Sequence, residues 1–319
     1  MGMSHGRKDT YPALAKRFCY VSRKHVTALC KAILLTQRDL GNREDRKKAR
    51  MKYLIDEQGI AWFKKEVKNR LDPKIRLFSP KPLVWDTVSD QLDWHEQGNG
   101  KLFCGIWIPD GRILDTETVQ YRSGLREIIE RCQTPIRLTA NCNLYIYDID
   151  PLQKEEIDTI LAKHHISHSQ SMTEARKVGM ACVALPTCGL ALAESERVFQ
   201  PLMDKIDAHL IELHLQNEPL LIRMTGCPNG CARPYNADFS FVGKSPDQYV
   251  VFVGGSHRGD RLAGLEKKMV TLEEIPGIVR SYLDEFVQHR LPEETFSDYW
   301  GRTHRNGNRP HPDQFHGES

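Results

Sequence analysis

Two pairs of cysteines constrain this chain more than any other feature. Cys182 and Cys188 enclose the five residues VALPT, Cys227 and Cys231 enclose PNG, and thirty-eight residues separate the pairs. Any joint use of the four thiols requires the fold to bring two distant loops face to face. A disulfide, a zinc ion, an iron–sulfur cluster and a catalytic thiol all suit such short glycine- and proline-bearing loops.

The other cysteines narrow the choice. There are nine in all, and Cys19, Cys30, Cys104, Cys132 and Cys142 are scattered, as small buried hydrophobes are. An odd number in a chain of cytoplasmic character argues against a disulfide framework. Four thiolates suit a [4Fe–4S] cluster or a structural zinc. Zinc ribbons favour two to four residues between paired cysteines, so the five of the first pair are unusual. Small residues and prolines in both loops let backbone N–H groups approach sulfur and tune a potential. At this level a cluster and a zinc-stabilised module both stand.

The 319 residues suffice for two or three domains. With 40% hydrophobic and 27% charged residues the balance is that of a soluble protein. No run approaches the roughly 18 apolar residues of a membrane span. The opening residues, MGMSHGRKDTYPALAKRF, hold no apolar signal core. A cytoplasmic protein with no membrane partner is expected. A net charge of +3 gives no reason to expect nucleic acid. The basic run Arg38–Lys52, RDLGNREDRKKARMK, reads either as a solvated helix face or as an anion site.

Apolar spacing predicts helices over 24–40, 44–57 and 60–70, with Gly59 between the last two. Three prolines in 72–90 read as a linker. From 100, KLFCGIWI reads as a strand and PDGR as a turn into RIL. SGLREIIERC follows as a helix with Ser123 as its N-cap, then IRLTA and LYIYDI as strands. Asp150-Pro151 opens another helix. This ββαββα order points to a ferredoxin-like α+β unit. Later come a helix over 195–214, strands LLIRM, FSFVG and YVVFVGG, and a proline-containing helix, TLEEIPGIVRSYLDEFVQHR. The Gly-, Pro- and His-rich end reads as a frayed terminus rather than a metal site.

At this point TGCPNGCARPY and ACVALPTCGLALAESER carry a resemblance. They look like the cluster-binding part of assimilatory sulfite reductase hemoproteins, relatives of the siroheme nitrite reductases. MGMSHG, LTQRDLGN, DRKKARMKYLIDEQGIAWFKKEV, RLTANCNLYI and FVGKSPDQYVVFVGG match in the same order, over about residues 1–300. The fold implied is α+β. Residues 1–80 would end a first sulfite/nitrite reductase α/β domain, 81–150 form a ferredoxin-like half-domain and 151–180 a linking helical segment. Residues 181–300 would form a second reductase domain, and 301–319 a disordered tail.

The resemblance also implies roles. Cys182, Cys188, Cys227 and Cys231 would hold a [4Fe–4S] cluster, with Cys231 bridging to siroheme iron. Arg50 and Lys52 would face sulfite, one as a fork for its oxygens and the other as charge and proton source. Arg137, Thr139, Asn141 and Asn143 would line the siroheme, with Cys142 where the family has glutamine. His5 would sit in a cofactor-side loop, and Asn229 would cap the cluster region. The implied reaction is the six-electron reduction of sulfite to sulfide. The electron donor would be a ferredoxin or a flavoprotein reductase, and CARPY and RMKYLID look closer to ferredoxin-dependent members. The family's chain is much longer, so this sequence is expected to be its C-terminal portion, lacking an N-terminal half of the same enzyme or meeting it as a second chain. Gly230 and LPTCGLA favour sulfite over nitrite. An inactive electron-transfer or cofactor-binding fragment is the reading from another class.

Overall fold

The computed structural model describes residues 4–81 and 89–304. Its first core is helical. Helix α1 (Val26–Leu40), α2 (Met51–Gln58) and α3 (Ile60–Asn69) enclose Leu29, Ala32, Leu54, Ile55, Phe63 and Val67. Gly59 separates α2 from α3 at φ +83°, a conformation only glycine adopts without strain. The expected second helix thus starts later than 44, after a single 3-10 turn at Arg46–Lys48.

The second core is a four-stranded sheet, β1 (Asp93–Glu96), β2 (Leu102–Ile106), β3 (Ile136–Leu138) and β4 (Leu144–Ile149), in the order β1-β2-β4-β3 with every neighbour antiparallel. Helices α4 (Tyr121–Cys132) and α5 (Lys154–Lys163) pack Ile128, Ile157, Ile160 and Leu161 against Cys104, Ile106, Leu144 and Ile146. The ββαββα order is present, with a different first pair of strands. RIL is not a strand: Ile113 and Leu114 are exposed and unpaired. The missed strand is DWHE, whose single large apolar residue gives no alternation to read. Ser123 is not the cap of α4. It lies inside the helix, where its N–H and Oγ both donate to Asp115. Asp150 does cap the turn before α5, in a reciprocal box with Gln153. That helix, expected in a linking segment, belongs to the sheet's own core.

The third core surrounds a five-stranded sheet: β5 (Met180–Ala181), β6 (Ile222–Thr225), β7 (Phe239–Ser245), β8 (Gln248–Val253) and β9 (Gly264–Thr271), in sequential order. Strands β5, β6 and β7 run parallel, and β8 and β9 return antiparallel. Parallel neighbours need a long crossover, which α7 (Glu196–Glu212) provides between β5 and β6. This helix and α8 (Ile275–His289) and α9 (Phe296–Thr303) bury Phe199, Ile206, Leu283, Phe286 and Phe296 against one sheet face. The proline of the expected late helix stands in its first turn, where a missing N–H costs least. Strand β9 was not foreseen, because its middle, Glu266–Met269, is exposed and charged, as an edge strand requires. The tail expected from 301 starts inside α9, and 305–319 lie outside the described residues, as do 82–88 of the expected linker.

Candidate functional site

The two cysteine loops meet because they leave the same end of neighbouring parallel strands. Cys182 directly follows β5, and Cys227 comes two residues after β6. Parallel strands lie about 4.8 Å apart, and their carboxyl ends are where open α/β sheets place ligands. The loops then lock together. Cys182 N–H donates to Met224 carbonyl at 3.1 Å, and Gly226 N–H donates to Cys182 Sγ at 3.3 Å. Gly226 carbonyl accepts from Leu192 and Ala193 N–H. A Cβ at Gly226 would stand 2.6 Å from both Ala184 Cβ and Ala193 carbonyl oxygen, so the loops approach too closely for a side chain there.

Cys227 is buried, Cys182 and Cys188 are partly exposed, and Cys231 is exposed. Burial pushes the Cys227 thiol up, the Asn229 N–H pulls against it, and Cys182 and Cys188 push it up again. Cys231 is raised by desolvation and then by Cys182, Cys227 and Cys188. All four thiols therefore share one electrostatic neighbourhood. Among the described residues they do not close into the tight set a single ion demands, in which every sulfur stands about 2.3 Å from one point.

Residues 4–11 form a strap from the second cysteine loop to α2. His5 is fully buried, its N–H donates to Pro228 carbonyl at 3.1 Å, and its ring meets Tyr235 edge-on at 4.8 Å. Gly6 packs against Asn229, which leaves no room for a Cβ. Arg7 Nη2 donates to Lys47 carbonyl at 2.9 Å. Further on, Lys52 Nζ donates to Thr10 Oγ1 at 2.9 Å and to Tyr11 carbonyl, between the rings of Tyr11 and Tyr53. Arg50 is exposed at the head of α2. Lys52, expected to face sulfite, is fully buried. Its stem lies in the helical domain and its amine is satisfied by the strap. Desolvation, then Arg50, lowers its pKa to about 8.

The 139–143 loop departs from expectation more strongly. Asp90 is its hub: Thr139 Oγ1 donates to it at 2.6 Å, Asn143 Nδ2 at 2.8 Å and Asn141 Nδ2 at 3.3 Å. Asn143 is buried, and its Oδ1 accepts from Ile108 N–H at 3.0 Å. Thr139 and Asn143 thus build the loop rather than present donors to a ligand. Asn141 Oδ1 accepts from Arg223 on β6 at 3.0 Å, and Arg233, two residues beyond Cys231, donates to Ala140 carbonyl at 2.7 Å. Arg137 stacks on Tyr147 at 4.8 Å and lines a cleft of about 340 Å³ on the open sheet face, whose walls hold no cysteine.

Sequence reasoning passed over Asp90, Asp110, Arg223 and Arg233. Asp110 accepts from Ala181 N–H at 2.9 Å, beside Cys182, and from Gln200. Burial lifts its carboxyl to about 6. Arg223 carried a readable signal, an arginine within the apolar strand LLIRM.

Residues 1–75 match the family described as nitrite and sulphite reductase 4Fe-4S domain, and 95–164 the nitrite/sulfite reductase ferredoxin-like half domain. Both cysteine pairs lie outside these segments. The chain is 42% identical over 299 residues to a Staphylococcus epidermidis protein named sulfite reductase [NADPH] hemoprotein beta-component, covering 94% of this chain and 52% of that one. A protein of the same name from Methylobacterium nodulans is 39% identical, with 94% and 49% covered. The solved structure of Mycobacterium tuberculosis NirA superposes with a TM-score of 0.76 at 26% identity, covering 94% of this chain and 55% of that one. The chain belongs to the sulfite reductase hemoprotein family and spans about half the length of the curated relatives it matches.

Proposed function

We propose that this chain is the cluster- and siroheme-bearing part of a sulfite reductase, an enzyme that reduces sulfite to sulfide with six electrons. The observation that carries the reading is the meeting of two cysteine loops at the ends of adjacent parallel strands. The family's cofactors are a [4Fe–4S] cluster and siroheme, and the residues present fit them. Cys182, Cys188, Cys227 and Cys231 offer four thiolates in one neighbourhood. Exposed Cys231, Asn229, Arg233 and Arg50 offer a thiolate, an amide and cations to a carboxylate-rich macrocycle and an anionic substrate. When bound, the two groups supply the electron storage and transfer that the side chains lack.

The protein's own part is positional and electrostatic. Gly226 N–H holds the Cys182 sulfur, and His5 fixes the loop between Cys227 and Cys231 from behind. Arg50 presents its guanidinium to sulfite. Lys52 acts behind it as a positioning residue, holding a proton and a positive charge at Nζ under the strap. With a pKa of about 8, that ammonium is present at neutral pH and lost as pH rises through 8.

In this reading the enzyme works in the cytoplasm, and among the described residues no helix is long and apolar enough to cross a membrane. The relatives' NADPH name favours an NADPH-fed flavoprotein reductase over ferredoxin as donor. A complement of comparable size, in cis or as a second chain, completes the pocket. Nitrite is the alternative substrate, and Gly230 between the second cysteines favours sulfite.

Lys52→Met in the complete enzyme tests the assignment. Viologen-driven sulfite turnover is expected to fall about 10²-fold, the scale of losing one electrostatic stabiliser. The fall near pH 8 in the wild-type rate profile should disappear, with siroheme content maintained. Unchanged turnover and profile would move the anion site away from α2.

A further inference from the structure

Strand β6 carries a buried charge that the protein offsets only in part. Arg223 is 4% exposed. Its Nη2 donates to Asn141, and its Nη1 is buried with no hydrogen-bond partner among the described residues. Ser240, its register partner on β7, likewise has an Oγ buried without a partner among those residues. A water between them would satisfy hydrogen bonding but bring no charge. Among the described residues, neither Arg223 nor Arg233 forms an ion pair, and their mutual repulsion adds to burial in disfavouring the Arg223 charge. The nearby carboxylate, Asp90, favours that charge from a distance but forms no ion pair with it: Asn141 stands between them, accepting from Arg223 and donating to Asp90, and Asp90 also accepts from Thr139 and Asn143.

A buried cation with no ion pair is costly for a fold to hold. This one has a definite location. Arg223 lies four residues before Cys227 on the strand that feeds the second cysteine loop, and Arg233 two residues after Cys231. Both reach the 139–143 loop, through Asn141 Oδ1 and Ala140 carbonyl, so the two guanidiniums stand together beside the cysteine loop. We propose that Arg223, assisted by Arg233, is the counter-charge to the anionic centre that the four thiolates form with iron, and that it sets how readily that centre accepts an electron. The inference rests on the cluster reading above. An added electron makes the centre more negative, so fixed positive charge in low dielectric favours the reduced state.

The test uses the full chain, reconstituted anaerobically with iron and sulfide, as wild type, Arg223→Gln, Arg223→Lys and Arg233→Gln. Iron and acid-labile sulfide are measured first, and each cluster is then titrated with dithionite while its paramagnetic signal is followed. Arg223→Gln should make reduction about tenfold less favourable, a shift of about 59 mV to lower potential for one electron. Arg223→Lys should stay near wild type. Arg233→Gln, at an exposed position, should shift the same way by less. Equal potentials in all four proteins with intact clusters would overturn the inference and leave the cluster reading standing. So would an Arg223→Lys shift as large as that of Arg223→Gln, which would make geometry rather than charge the cause. A wild-type chain that takes up no cluster would remove the cluster reading itself, and this inference with it.

Discussion

The 139–143 loop and the 225–235 loop look alike in sequence, each a short polar stretch with asparagine and cysteine after a strand. They are put to opposite uses. In the first, Thr139, Asn141 and Asn143 all donate to Asp90, and Asn143 has its oxygen taken as well. In the second, Cys231 and Asn229 are exposed, while the backbone is held by His5 N–H, from outside the loop, and by Tyr235 Oη at its end, both donating to Pro228 carbonyl. The difference teaches that a polar motif becomes a ligand site only where other parts of the protein satisfy its backbone and leave its side chains over. Where a half-buried carboxylate collects the side chains, the same residue types become scaffold.

The sharpest way to break this contrast is to alter the second loop. Cys227→Ala removes a thiol without adding bulk, and iron and acid-labile sulfide after anaerobic reconstitution should fall to near zero. Retention of a full cluster would mean that the loop is not a ligand site. Next in size is the hub of the first loop. Asp90→Ala takes the acceptor from three donors, of which Thr139 and Asn141 are half-buried and open to water and the buried Asn143 amide keeps the Lys177 carbonyl, so a loss of about 1–2 kcal/mol in denaturant unfolding is expected, at the low end of the cost of leaving polar groups unpaired. If the loop instead presents its side chains outward, that variant should be nearly silent in stability. The smallest effect belongs to a site remote from both loops. Asp115 accepts from the Ser123 N–H near the start of α4, and Asp115→Ala should cost about 1 kcal/mol, the usual worth of a helix cap, with cluster content unchanged.

Much of this was legible in the chain. The cysteine spacing, the turn at Gly59, the Asp150-Pro151 start and the apolar strands β6 to β8 all follow local rules, because each depends on residues close in sequence. What escaped depends on partners far away. Asp90 ends a proline-rich stretch, and nothing local says that it will gather a loop fifty residues on. Lys52 lies in a basic run that reads as a solvated face or an anion site, and neither reading foretells that the strap from Thr10 and Tyr11 buries it. Strand β1 has too few apolar residues to announce itself and exists because β2 offers it an edge. Arg223 breaks the apolar pattern of its strand, and such a break was the one local sign of a buried charge.

The claim on which the rest stands is that the four cysteines hold one cluster. The direct measurement is iron, zinc and acid-labile sulfide per chain in anaerobically purified and reconstituted protein, with an absorption spectrum before and after dithionite. About four iron and four sulfide per chain, with a broad visible absorption that bleaches on reduction, are what four converging thiolates predict. One zinc per chain with no labile sulfide would contradict the account and turn the cysteine loops into a structural zinc site.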